Sequence, residues 1–425
     1  MMPEPVRGDE ADEPALDTVM KAAVLLQESG QSTSMTLIAV DRMNTGLGIR
    51  STLIPSWASL LLVSTRAGAS VRVASVSPVG VHMRRVAAAM RTIDRAEDGP
   101  LDRAVVDREI SAAEALAPSN DVAFTIACAT GAGALAVVFG ATNPVAVLLV
   151  AASAALGGLI RRGLGRFGMG TLAQAFVAAT VAGLIGAVAV HLNLGAAAGL
   201  VAVCPGMVLV PGPHILNGAL DLLALRITLG LARLGYATLI LVAIAAGLIF
   251  GLRLGGQTLP VTSGAATTPF YVDVLAAGVA AGSYPVYFSM PYRMIAWPIG
   301  VGILAHAVHW WALTVWKVDL PTAALVACLL VGLILIPVAH FLRIPFAAIG
   351  FASVVALVPG VYVFRALSGV IQLQGAKSPD LLAATASDAA VASLVVAGMA
   401  IGLVVPMRIR DVLVSAAARR RRAGR

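Results

Sequence analysis

Beyond residue 118 the chain is a succession of long apolar blocks, whereas before it apolar positions alternate with charges at short range. The blocks fall near 119–140, 143–160, 171–191, 196–220 and 226–252, and again near 270–290, 295–316, 321–340, 344–373 and 384–407. A helix needs about 20 apolar residues to cross the hydrocarbon of a bilayer, and each block meets or approaches that length. The pattern predicts about ten transmembrane helices, in two sets of five separated by the stretch GGQTLPVTSGAATTP. Ahead of them, residues 14–29 carry apolar positions at helical spacing and stop at Gly30. Ser34–Val40, Ala58–Ser64 and Val71–Val76 are rich in β-branched and aliphatic residues and read as strands. Two further helices, near 81–96 and 101–116, complete a small α+β domain.

Repetition sharpens the picture. LVPG at 209–212 recurs at 357–360, and the same offset of 148 carries each span of the first set onto its counterpart in the second. A unit of five spans is odd, so a second copy enters the membrane from the opposite face, which makes an inverted-topology repeat of the kind found in secondary transporters. The fold class expected is therefore a polytopic α-helical membrane protein with a cytosolic α+β domain at its N-terminus. Its parts are a domain over 1–118, repeats over 119–253 and 270–407, and a basic cytosolic tail over 408–425.

Composition agrees. Of 425 residues 59% are hydrophobic and 12% charged, about half the charged fraction usual in a soluble domain, which excludes an ordinary cytosolic enzyme. Residues 1–118 hold 27 of the 52 charged side chains, 12 basic against 15 acidic, so the net charge of +8 belongs to the membrane loops and tail. Nucleic-acid binding is not needed to explain it. With residue 118 cytoplasmic and the spans alternating, 14 of the 18 later basic residues fall on the cytoplasmic side, which sets both termini inside the cytoplasmic membrane. Among them is the RRRR run at 419–422, read as a topology anchor that can also touch anionic lipid. Cys128, Cys204 and Cys328 sit in apolar runs with no metal-ligand spacing, and no cofactor is expected. The acidic start MMPEPVRGDEADEP is unlike a signal peptide.

Candidate chemistry lies where the apolar helices are interrupted. The fourth span reads CPGMVLVPGPHILN, and proline removes a backbone donor and clashes with the preceding turn, so breaks are expected at Pro211-Gly212 and at Pro359-Gly360. Free N–H groups at the two half-helix starts would suit a substrate carboxylate. Arg365 corresponds by the offset to Asn217, and the two can bracket a substrate, Arg365 meeting a carboxylate and Asn217 an amine or hydroxyl; snorkelling is the alternative for Arg365. His306 and His309 lie three apart on one helix face, and with His214 they are the proton-coupling candidates, a buried hydrogen-bonded pair being the alternative. Asp221 and Arg233, at the ends of their spans, read as a structural or gating ion pair. GLGRFG at 163–168 satisfies a dinucleotide pattern but lacks a preceding strand. GxxxG at 195/199, 247/251, 278/282 and 398/402 reads as helix packing.

The stretch VPGPHILNGALDLLALRITLGLARLGYATLILVAIAAGLIFGL at 210–252 resembles the signature of the threonine/serine exporter family, through its PG, Asn217, Asp221 and the Gly230-Leu231-Ala232-Arg233 run. The likeness extends to ESGQSTS at the end of the first helix and to the second LVPG. It implies export of small hydroxy-amino acids, threonine or serine, with a split branch of the family associated with dicarboxylates such as succinate. No ATPase signature is present, so transport would be secondary, driven by protons or another ion. The partners implied are a small amino acid, a coupling ion and the lipid bilayer, and a homo-oligomer is compatible with the pattern. A membrane-embedded hydrolase is the rival class, with only His82 as a histidine in its soluble domain, and a non-transporting scaffold is the third.

Overall fold

The structure is a computed structural model that describes residues 9–65, 70–258, 268–341, 346–375 and 378–423. Most of the stretch between the two sets, and Arg343, Lys377 and Arg425 from the charge count, lie outside the described residues.

The N-terminal domain runs α1 (Asp9–Glu28), α2 (Thr33–Leu47), β1 (Ser51–Pro55), β2 (Ser59–Ser64), β3 (Val71–Ser75), α3 (Met83–Asp94) and α4 (Arg103–Glu114). The strands form an antiparallel sheet in the order β1-β2-β3, with Ser51 opposite Ser64 and Ser59 opposite Ser75. Leu60, Leu62 and Ser64 of β2 point inward, and the alternation is what a half-buried strand requires. Leu16, Val19, Ala23 and Leu26 of α1 join Val86, Met90 and Ile93 of α3 in the core beneath that sheet.

One expected strand is a helix. Ser34–Val40 lies inside α2, and β1, which the sequence did not suggest, supplies the third strand. Buried Thr33, Thr36, Ala39, Val40, Met43 and Asn44 recur at three- and four-residue steps, and this periodicity overrides the β-branched content. Gly48 ends the helix in the left-handed region, at φ 69°.

The rest is helical: α5 (Asp121–Val138), α6 (Pro144–Arg166), α7 (Thr171–His191), α8 (Ala197–Met207), α9 (Gly212–Leu223) and α10 (Ile227–Leu254). Then come α11 (Phe270–Tyr287), α12 (Ala296–Thr314), α13 (Leu320–Phe341), α14 (Phe346–Val354), α15 (Gly360–Gln372) and α16 (Pro379–Ala423). The last helix runs on through the boundary expected at 407. Among the described residues six helices are long and apolar enough to cross a membrane, or eight if each bent pair counts as one span. α11 and α12 fall short of that measure because Asp273, His306, His309 and several tyrosines and tryptophans dilute them.

Equivalent neighbours pack in the two sets: α5 on α6 and α11 on α12, α7 on α10 and α13 on α16, α9 on α10 and α15 on α16. Gly247 and Gly251 of α10 lie against the carbonyls of Phe176 and Thr180, and Gly398 and Gly402 of α16 against those of Pro321 and Leu325, so no side chain fits between these backbones. Gly278 and Gly282 likewise face Ile303 and Ile299. Gly195 and Gly199, expected to pack in the same way, meet no atom that an added methyl would touch.

Candidate functional site

Both LVPG segments adopt the same local structure. Pro211 (φ −80°, ψ 59°) and Pro359 (φ −80°, ψ 46°) are each the centre of an inverse γ-turn, in which the following glycine N–H donates at 2.8 Å to the carbonyl of the preceding valine. α8 and α9 meet at 65°, and the helical stretch Ile349–Leu357 meets α15 at 60°. The half-helix start of α9 does not offer the free amides expected of it. The Gly212 N–H is held in the turn, Pro213 has none, and the His214 N–H donates to Pro211 O at 3.0 Å. The Met207 carbonyl, which accepts from the Val210 N–H at 3.3 Å, is also met from the other set, where the Tyr284 hydroxyl of α11 donates to it at 3.3 Å.

The breaks seat on one another. A methyl on Gly212 would fall inside the ring of Phe351, and one on Gly360 would lie 2.8 Å from Cε of Met207, so each break's glycine is covered by a side chain of the opposite set.

Below the first break the N-terminal domain reaches into the helices. Asn217 Nδ2 donates to Gly30 O at 3.2 Å, while its Oδ1 is buried without a partner. The Thr33 hydroxyl donates to Asp221 Oδ2 at 2.9 Å and accepts from Arg233 Nη2 at 3.3 Å. Arg233 Nε lies 3.1 Å from the same carboxylate oxygen at a poor hydrogen-bond angle, an ion pair more than a directed bond. Arg226 bridges Asp221 Oδ1 at 3.2 Å and Ser34 Oγ at 2.9 Å. His214 is 3% exposed, with the rings of Trp57 and Tyr236 edge-on at 6.3 and 5.1 Å. Trp57 is the tip of the β1–β2 hairpin. On the other flank the N–H groups of Met83 and Arg84 donate to Phe288 O and Ser289 O at 3.0 and 2.9 Å.

A cavity of about 450 Å³ opens beside the first break. Pro211, Pro213 and His214 form one wall, Arg161, Arg162 and Arg166 at the end of α6 another, and Tyr287 and Phe288 a third. Val79, Gly80 and Val81 separate it from a groove of about 680 Å³ on the N-terminal domain, bordered by Asp17, Lys21, Glu28, Arg72 and His82.

The remaining candidates stand apart from this cavity. Arg365 Nε is 2.9 Å from Asp388 Oδ2, tying α15 to α16, so its head is neither free nor beside Asn217's partners. His306 Nδ1 lies 3.0 Å from Asp273 Oδ2, and the His309 ring is 5.6 Å from that of His306.

Residues 17–255 match the family model ThrE, of threonine/serine exporters, and residues 273–409 match ThrE_2, described as "Threonine/Serine exporter, ThrE". The chain belongs to the threonine/serine exporter family. No curated protein and no solved structure matches it. The first match of this exporter-family chain takes in the N-terminal domain from residue 17 together with α5–α10, so the contacts between Gly30–Ser34 and α9–α10 lie within one matched unit. Membership points to a transporter in a membrane, with an amino acid as substrate, and not to an enzyme. Among the described residues no group of His, Cys, Asp or Glu could hold a metal ion.

Three residues of the exporter's polar interior escaped the sequence reading. Asp273 and Asp388 are two of only seven acidic residues after position 118, and a carboxylate inside an apolar block is itself a functional signal. Arg161 reads as a loop charge in the sequence, because the apolar block ends at 160 where α6 continues to Arg166.

Proposed function

We propose that the chain exports a small polar amino acid, threonine or serine, across the cytoplasmic membrane as a proton-driven secondary transporter. The reading takes α5–α10 and α11–α16 as two five-span repeats of inverted topology, with each broken pair as one span and both termini cytoplasmic. Residues 1–118 form the cytosolic domain, 119–253 and 270–407 the repeats, and 408–425 the tail. The observation that carries it is the reciprocal seating of the two breaks, Gly212 under Phe351 and Gly360 under Met207, in a chain of the exporter family. Two half-helix joints that hold each other through side chains give two similar halves a contact to exchange when one rocks against the other.

Substrate passes between the joints, bordered by Pro211, Gly212 and Asn217 on one side and by Pro359, Gly360 and Arg365 on the other, where Asn217 Oδ1 has no partner and Arg365 would have to exchange Asp388 for the substrate. Asp221 and Arg233 hold the cytosolic domain's Thr33 beneath it and serve as the inner gate. Asp273 with His306, and His309 beside them, is the proton path, since a carboxylate–imidazole pair can exchange a proton without a net charge entering lipid. His214, packed by aromatic rings, is the third proton candidate.

Uptake of labelled threonine, serine and succinate into inside-out vesicles, with and without an imposed pH gradient, tests the reading. Gradient-dependent accumulation of threonine or serine is expected. Accumulation of succinate alone would make the chain a dicarboxylate carrier, and labelling of cysteines at 163–168 by impermeant reagents from outside intact cells would refute the topology.

A further inference from the structure

We infer that the cavity beside the first break is the subsite for the substrate's carboxylate, and that Arg161 is the residue that receives it; the inference rests on the exporter reading above. Three arginines close the end of α6, and they are not equivalent. Arg162 Nη1 is 2.6 Å from Asp121 Oδ1, and Arg166 pairs with the other oxygen of the same carboxylate. Arg161 has no carboxylate and no hydrogen bond among the described residues, and its Nη1 is buried. Its guanidinium lies over the ring of Tyr287, 5.4 Å from the centroid, which offsets only part of the missing counter-charge.

Arg161 is half-buried, and a partly desolvated guanidinium without a counter-charge is stabilised where a ligand supplies one. The cavity it borders suits such a ligand, because pockets for small molecules run from about 300 to 1,000 Å³ and this one measures about 450 Å³. A second orphan polar atom borders the same space: His214 is 3% exposed, and its Nδ1 has no partner. Beside this cavity the rival sources of positive charge are spent. The first amides of α9 are held in the turn or missing, and Arg365 is paired with Asp388. The offset of 148 carries Arg161 onto His309, so the second set offers no second guanidinium and the site is single. The planar fork of arginine matches a carboxylate with two parallel hydrogen bonds, which a lysine cannot reproduce.

Equilibrium binding of labelled L-threonine, L-serine and succinate to the purified full-length protein tests the assignment, with L-threoninol, which lacks the carboxylate, as competitor. Wild type should prefer threonine over threoninol at least about tenfold. Arg161→Gln should lose about tenfold in threonine affinity together with that preference, Arg161→Lys should fall between, and Arg253→Gln, exposed at the far end of α10, should behave as wild type. Wild-type affinity and preference in Arg161→Gln would overturn the assignment, as would a wild type that binds none of the three carboxylates. Binding of succinate alone, lost in Arg161→Gln, would uphold the subsite while the amino-acid reading falls. Should Arg161→Gln not fold, site-resolved phenylglyoxal modification of wild type decides: threonine should slow modification of Arg161 and threoninol should not, and no protection by threonine overturns the proposal.

Discussion

The two break glycines are formally equivalent, yet alanine should cost far more at one than at the other. At Gly360 the added methyl would stand 2.8 and 2.9 Å from Cε and Cγ of Met207 and 3.3 Å from its sulfur. Methionine has three rotatable bonds and refills irregular space, so the contact relaxes by turning the thioether. The relief of chain entropy in the unfolded state, about 0.4–1 kcal/mol for Gly→Ala, offsets part of what remains, and the net change should stay within about 1 kcal/mol. At Gly212 the methyl would penetrate the Phe351 ring, against an ordinary carbon–carbon contact of about 3.5–4.0 Å. That ring is 4% exposed and boxed by Tyr284 and Phe288, with centroids at 6.1 and 5.8 Å, so it can yield only towards the narrow apolar cavity of about 40 Å³ that it borders together with Gly212. Overpacking costs about 1–3 kcal/mol, and a clash this deep belongs at the upper end. Thermal unfolding of the purified protein, followed by tryptophan fluorescence, should therefore show Gly212→Ala well below Gly360→Ala, and Gly212→Ala with Phe351→Leu should recover most of the loss. Equal losses in the two single variants, or no recovery in the double one, would refute the seating of each break on the opposite set.

Thr33→Val removes the hydroxyl that serves both Asp221 and Arg233, and leaving those buried groups short of a partner should cost about 1–3 kcal/mol in thermal unfolding, with Thr33→Ser losing less. Burial, with Arg85 beside it, lowers the pKa of His82 from 6.5 to about 4, so between those values the unfolded chain holds the extra proton; stability is full above about pH 6.5 and should fall as pH drops towards 4, and a His82→Asn variant should show a flatter profile over that range. Asp273→Asn and His306→Gln should each abolish uptake driven by a pH gradient while leaving threonine exchange in proteoliposomes intact, whereas full gradient-driven uptake in both would make the pair structural.

Apolar blocks located helices well where both ends of the block are polar, as at 171–191, which is α7 to the residue. They misled where a helix carries its charges past the apolar stretch. α6 continues from 160 through three arginines, and that extension turns Arg161 from a loop charge into a wall of the cavity. Proline chemistry located both breaks, but not the γ-turns that consume the first glycine amides, because those depend on the ψ the proline adopts. Partners across helices were the least legible. Nothing local in the sequence joins Asp273 to His306, Arg365 to Asp388 or Thr33 to Asp221, since each pair is made between two different helices brought together by the fold. In the N-terminal domain Ser34–Val40 has the composition of a strand and the burial period of a helix, and period prevailed because it decides what reaches the core.

The N-terminal domain holds both sets of helices at once, and this constrains any motion between them. Gly30, Thr33 and Ser34 bond to Asn217, Asp221, Arg233 and Arg226 of the first set, while Met83 and Arg84 bond to the backbone at Phe288 and Ser289 beside the second. Rocking one set against the other must release one of these anchors or bend the domain. Each neutral bond is worth only about 0.5–1.5 kcal/mol net, because water replaces it, and those to charged groups about 1.5–3. The anchor after α11 combines neutral backbone bonds with the Arg84 guanidinium over the Tyr292 ring, so releasing it costs a few kcal/mol, whereas the Thr33 anchor also exposes the ion pair of Asp221 and Arg233. A difference of a few kcal/mol between two conformations is the size that ligand binding can reverse. The domain is thus tied firmly to α9 and α10 and lightly to the loop after α11, and it is the second contact that a rocking cycle would open first.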